Sequence, residues 1–193
     1  MTRFGDRAVA RGLYLRMRTP RRRPAVVQGD PTLLRQIAFN FVQNALRYTS
    51  HGGVLVGVRA RASAWRLEVR DTGIGVAAVD RARIFSPFYR SPSTEHSSDH
   101  PPSPRGLGLG LAVVARCADL MGATFGFEST SGRGSLFWVQ LPVAESDAAR
   151  RPPGTAVPLG ALSGHWLLVD DDPHDLFNFN LIENDTSLSI MVR

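Results

Sequence analysis

Between Asp30 and Gly53, the residues Leu33, Leu34, Ile37, Ala38, Phe41, Val42, Ala45 and Leu46 recur at helical spacing and form one continuous apolar stripe. Asp30-Pro31 supplies an N-cap followed by proline at the first helical position, and His51-Gly52-Gly53 closes the segment. A helix bounded in this way must lay its stripe on a partner, and the next two segments offer one. In GVLVGVRAR, Val54, Val56 and Val58 share a face. In AWRLEVRD, Trp65, Leu67 and Val69 alternate inward while Arg66, Glu68 and Arg70 point outward. The pair predicts an antiparallel hairpin with one face wet.

The same reading extends along the chain. GLYLRMR (residues 12–18) and AVVQ (25–28) read as short strands ahead of the helix. After the hairpin come a glycine-rich turn and a short helix. Residues 91–105, rich in Ser and Pro and without apolar periodicity, then read as a long mobile loop. GLGLGLAVVARCADLMG runs from a second glycine-rich turn into a helix closed by Gly122, and TFGFES and SLFWVQLP finish as strands. The order is strand, strand, helix, strand, strand, helix, lid, helix, strand, strand. It predicts an α+β fold, an α/β sandwich with a mixed, mostly antiparallel sheet and helices on one face. Residues 1–11 form a basic arm, 12–143 the domain, 144–164 a Pro/Ala/Gly-rich linker, and 165–193 a separate segment.

Charge narrows the function classes. The net charge of +6 comes entirely from Arg, since the chain has no Lys, and eight Arg lie in the first 23 residues. Without zinc-finger spacing or an aromatic-rich RNA motif, this arm reads as a solvated terminus, and nucleic acid is not the expected partner. Missing Lys also excludes a Walker A loop. The single Cys117, within an apolar run, reads as a buried structural thiol and excludes an internal disulfide. No apolar run reaches membrane-span length and no signal peptide opens the chain. A cytoplasmic location follows as the expectation, including as the cytoplasmic part of a larger sensor.

Three stretches carry the chemistry. On the first helix, Asn40, Asn44, Arg47 and Tyr48 fall within an arc of about 100°, beside the apolar stripe. An Asn oxygen suits Mg²⁺, its NH₂ can donate to phosphate, and Arg47 offers a charged fork; local backbone bonds would use the two Asn equally well. In RDTGIGV, Asp71 ends a strand, and Gly73 and Gly75 would let backbone approach a planar ligand. A carboxylate there would accept from the exocyclic amine of adenine and disfavour guanine; an unliganded Asp-Thr-Gly turn is the plain alternative. In RGLGLGLAVV, Gly106, Gly108 and Gly110 open a helix whose free amides suit an anion, or the glycines serve only close packing.

Taken together and in order, these stretches resemble the ATP-binding catalytic domain of sensor histidine kinases, in the Bergerat-fold (GHKL) ATPase/kinase superfamily. FNFVQNALRYT is similar to that family's N-box, DTGIG to its first glycine box, IFSPFYR (84–90) to its F-box and GLGLGL to its second glycine box. SGRGSLFWVQLP matches its closing strand, so the resemblance covers about residues 12–143. It implies ATP and Mg²⁺ as cofactors. Asn40 would ligate Mg²⁺, Asn44 and Arg47 would hold phosphates, and Tyr48 would pack near ribose and base. Asp71 would read the adenine amine over Gly73 and Gly75, and Gly106, Leu107, Gly108, Leu109 and Gly110 would hold the phosphates as residues 86–105 close over them. The family usually has Lys where Arg47 stands. Gln36 occupies the place of the Glu base found in hydrolysing members, which favours phosphoryl transfer over hydrolysis.

The resemblance further implies a phosphoacceptor His on a dimerisation hairpin. His51, His96, His100, His165 and His174 lie in turns, loops or beyond the linker, none of them in a long amphipathic helix. No catalytic residue is therefore assigned in this chain, and a dimerisation/histidine-phosphotransfer domain is expected as a separate partner. HWLLVDDDP (165–173) resembles the first strand of a response-regulator receiver, with Asp170 and Asp171 as an Mg²⁺-binding pair. That implies a hybrid kinase truncated within its receiver, with a receiver as the onward partner; an ordinary strand ending in an acidic turn reads the same. Three other readings remain: an anti-sigma-type serine kinase, a non-catalytic nucleotide-dependent binding module, and a basic nucleic-acid-binding protein.

Overall fold

A computed structural model describes residues 4–18, 25–91, 107–143, 182–184 and 187–190. Helix α2 (Pro31–Tyr48) starts as its sequence dictates: Asp30 Oδ1 accepts from the N–H groups of Thr32 and Leu33 at 2.7 and 3.0 Å. Its stripe buries Ile37, Phe41 and Val42 completely against a five-stranded sheet. Strands β1 (Tyr14–Arg18), β3 (Gly53–Arg61), β4 (Ala64–Asp71), β6 (Gly134–Pro142) and β5 (Thr124–Thr130) lie in that order, with β1 parallel to β3 and every other pair antiparallel. Helix α3 (Gly110–Leu120) packs beside α2. The observed layers, a mixed sheet with helices packed on it, are those of the expected α/β sandwich.

The core lies between helices and sheet. Phe41 of α2 meets Phe137 of β6 at 5.7 Å, and Phe137 stacks on Phe127 of β5 at 5.6 Å. Cys117 is buried here, and desolvation pushes its thiol pKa up, as suits a packing residue.

Several local expectations are corrected. Part of the basic arm is not a solvated terminus: Phe4–Val9 is helix α1, with Phe4 and Ala8 buried and the Phe4 ring 5.1 Å from that of Phe39. Apolar residues spaced between the arginines make this possible. The helix after the first glycine turn is only a 3₁₀ turn, Ala78–Asp80. Glu68 does point to the outer face, yet it is 7% exposed. Arg59 and Arg61 fold over it at 3.1 and 2.8 Å, since long side chains cover flat sheet as readily as they reach into water.

Strand β2 (Ala25–Val27) leaves the main sheet and pairs antiparallel with β8 (Ser187–Ile190), which pairs in turn with β7 (Ile182–Asn184). The expected receiver-like strand at 165–173, with Asp170 and Asp171, lies outside the described residues, as do residues 92–106 and the linker.

Candidate functional site

A cleft of about 260 Å³ opens where the C-terminal half of α2 meets the end of β4 and the start of α3. Asn44, Tyr48 and Asp71 line it, with Leu111 and Phe137 making an apolar wall.

Asp71 is 6% exposed. Its Oδ1 accepts the N–H of Gly73 at 2.8 Å and that of Ser135, on β6, at 3.2 Å. Among the described residues no hydrogen bond reaches Oδ2, so one carboxylate oxygen is anchored and the other is available to a ligand. Burial raises the Asp71 pKa and outweighs the lowering effect of the two N–H donors. The orphaned acceptor on an apolar wall fits a flat base bearing an amine.

The glycines around Asp71 serve the protein's own backbone. A Cβ at Gly73 would overlap the carbonyl of Tyr48, and one at Gly75 (φ +69°) would overlap the carbonyl of Thr130. The room read from the sequence as space for a ligand is filled by neighbouring chain, while the backbone of Gly75 still borders the cleft.

The structure brings the two asparagines to the second glycine stretch. A Cβ at Gly110 would stand 3.2 Å from Asn40 Oδ1 and 3.8 Å from Asn44 Nδ2. Asn40 donates from Nδ2 to the Gln36 carbonyl at 2.9 Å, so the local backbone bond coexists with an oxygen that faces Gly110. Leu109, the N-cap residue of α3, provides no side-chain cap, which leaves the first amides of the helix for an anion. Gly108 (φ +72°) packs on the backbone of Phe88 and Tyr89, joining this stretch to IFSPFYR. Leu107 is exposed and Leu109 half-buried; Gly106 is outside the described residues. Arg47 lies half-buried with its guanidinium 5.8 Å from the Tyr48 ring, and neither it nor Asn40 lines the cleft. Among the described residues no group of three His, Cys, Asp or Glu is placed to hold a metal ion.

Sequence reasoning missed Asp80. It is 4% exposed on the cleft rim, accepting from Tyr89 Oη at 2.6 Å on Oδ1 and from Ser91 Oγ on Oδ2. The Ser91 and Tyr89 hydroxyls lower its pKa, while the bond to Asp80 raises that of Tyr89. Its only signal in the sequence is a lone acid among Ala and Val, with no spacing that marks a partner.

Against known proteins, residues 29–145 match the family described as histidine kinase-, DNA gyrase B-, and HSP90-like ATPase. The chain is similar to sensor protein TorS of Escherichia coli (strain K12), 33% identical over 151 residues, covering 78% of this chain and 15% of that protein. It is similar to sensor protein GacS of Pseudomonas syringae pv. syringae, 32% identical over 183 residues, covering 91% of this chain and 19% of that one. The chain thus spans a fifth or less of the length of these two relatives. Among solved structures, full-length ShkA in complex with AMPPNP superposes with a TM-score of 0.63 at 35% identity, covering 74% of this chain and 28% of that chain. The catalytic domain of histidine kinase ThkA superposes with a TM-score of 0.59 at 23% identity over 72% of this chain and 86% of its own, a likeness of fold. The family match and the sheet order agree: this chain belongs to the histidine kinase-, DNA gyrase B- and HSP90-like ATPases and carries the ATP-binding catalytic domain found in sensor histidine kinases.

Proposed function

We propose that the chain presents Mg·ATP for phosphoryl transfer to a histidine on a dimerisation domain supplied elsewhere, within a hybrid sensor kinase that relays the group to a receiver aspartate. The observation that carries this reading is the divided carboxylate of Asp71, with Oδ1 tied to Gly73 and Ser135 and Oδ2 left as a buried acceptor in the cleft. Oδ2 would accept the amine of adenine, and it would face the carbonyl of guanine unfavourably.

Asn44 would donate to phosphate oxygens, and the uncapped amides of α3 would hold phosphate at the positive end of that helix. Asn40, its NH₂ held by Gln36, would keep Oδ1 turned toward the start of α3 as a ligand for Mg²⁺. Bound ATP supplies the transferable phosphoryl group. The residues of this chain orient it and neutralise its charge, and those effects dominate such transfers. Gln36, one turn before Asn40, cannot take a proton from water, so no base for hydrolysis stands there.

Calorimetric titration of the wild-type chain and Asp71→Asn with AMPPNP and Mg²⁺, and with the guanine analogue, tests the reading. Binding of the adenine compound alone is expected, weakened about a hundredfold in Asp71→Asn. Equal affinity for both bases would overturn it.

A further inference from the structure

The C-terminal end of α2 carries Tyr48 into the cleft, and the last carbonyls of a helix have no partner within it. Here they are taken up by different parts of the molecule. The Thr49 hydroxyl donates to the Ala45 carbonyl at 2.7 Å, and the Ile74 N–H donates to the Tyr48 carbonyl at 3.2 Å. The carbonyls of Leu46 and Thr49 are both held by the guanidinium of Arg11, through Nη1 to Leu46 and through Nη2 to Thr49 at 3.1 Å. A permanent positive charge at this end also meets the negative pole of the helix.

Arg11 is aimed by its own backbone. Helix α1 ends in a Schellman arrangement: Gly12 lies at φ +64°, its N–H donates to the Val9 carbonyl at 2.9 Å, and the Leu13 N–H donates to the Ala8 carbonyl at 2.9 Å. Leu13 and Ala8 are buried beneath this turn, and Phe4 packs on Phe39 of α2. The segment entering the domain is therefore fixed to α2 at two levels, by rings along its length and by Arg11 at its end.

We infer that Arg11 is a positioning residue for the nucleotide, through which the segment entering the domain sets the affinity of the cleft. The route is short. Arg11 holds the end of α2, the Tyr48 carbonyl there anchors Ile74, and the same carbonyl fills the space beside Gly73. Gly73 in turn donates to Asp71 Oδ1. Releasing the helix end loosens Tyr48 and the support of Asp71 together, without touching any ligand atom. The inference rests on the nucleotide-binding reading of the cleft given above.

The test titrates Mg²⁺-complexed AMPPNP into the full chain as wild type, Arg11→Ala, Arg11→Lys and Val58→Ala, beside thermal melts and hydrogen exchange at the Ile74 amide. Arg11→Ala weakens binding about tenfold, the equivalent of one charge-assisted hydrogen bond, and speeds exchange at Ile74. Arg11→Lys recovers part of the affinity, keeping the charge but not the fork. Val58→Ala, in the core at the far end of β3, lowers the Tm and leaves affinity unchanged. Unchanged affinity in folded Arg11→Ala would overturn the inference and leave Arg11 a tie between helices. If Arg11→Ala does not fold, Arg11→Lys decides: weaker binding supports the assignment and wild-type binding overturns it. A wild-type chain that binds nothing removes the nucleotide reading of the cleft. The link is then judged by Ile74 exchange in Arg11→Lys, where an unchanged rate overturns it and faster exchange supports it.

Discussion

Asn40 Oδ1 faces Gly110 across the helix pair, at a distance where a methyl group on Gly110 would stand 3.2 Å from that oxygen. Two residues 70 positions apart thus share one small space between α2 and the start of α3. Gly110→Ala should leave the fold intact, because alanine suits a helix better than glycine and only a few tenths of an ångström must give. The methyl would still crowd the oxygen proposed for Mg²⁺ and the amide of Asn44. Nucleotide affinity is expected to fall about tenfold, or about 1.4 kcal/mol, while the Tm stays level or rises slightly. Calorimetry with and without Mg²⁺ checks this, with the larger loss expected when Mg²⁺ is present.

Asp71 sets function against stability. Burial raises its folded pKa above the ordinary carboxylate value, so the folded chain binds that proton more readily than the unfolded chain. Its contribution to stability is therefore complete below the unfolded pKa and is lost as pH rises through the folded one, leaving a buried charge at neutral pH. Asp71→Asn should raise the Tm of the nucleotide-free chain at neutral pH and have little effect in acid, while nucleotide affinity falls about a hundredfold because an amide NH₂ opposes the adenine amine. Melts across a pH series, with and without AMPPNP, give both signs. A lower Tm at neutral pH would contradict the account.

Asp80 has the opposite sign. The hydroxyls of Ser91 and Tyr89 hold its carboxyl below the ordinary range. Its stabilisation is present above the unfolded pKa and is lost as pH falls through the folded value. Asp80→Asn should lower the Tm at neutral pH, and the difference from wild type should close in acid. Tyr89→Phe should reproduce part of that loss through one of the two bonds, and thermal melts of the two variants measure both effects.

Two glycines with positive φ separate strain from crowding. Gly122 closes α3 at φ +60° with open space around it, so Gly122→Ala should cost about 1 kcal/mol, the price of a left-handed alanine alone. Gly75 has φ +69°, and a Cβ there would strike the Thr130 carbonyl. Gly75→Ala should therefore cost about 3 kcal/mol and disturb the cleft it borders. Denaturant unfolding of the two variants compares them directly.

The legible parts of this protein were those with local causes. Asp30 caps α2 because its neighbours' amides are within reach, and the stripe from Leu34 to Leu46 faces the sheet because helical geometry puts those residues on one side. The three chemical stretches were also visible, since an acid before two glycines or glycines before an apolar run are short-range patterns. The reach of Arg11 to α2, the covering of Glu68 by two arginines and the seat of Asp80 were not visible, because none follows from a period or a turn rule.

The sequence by itself determined the order of elements, the inward faces and the residue types available for binding, through backbone propensity and the burial of apolar stripes. Tertiary structure alone decided which of those residues meet. The pairing of β4 with β6 brings the Ser135 amide to Asp71, and the packing of α3 on α2 brings Gly110 to Asn40. Strand register and helix packing are set by the whole core at once, so contacts between residues 64 and 70 positions apart exist only in the folded molecule.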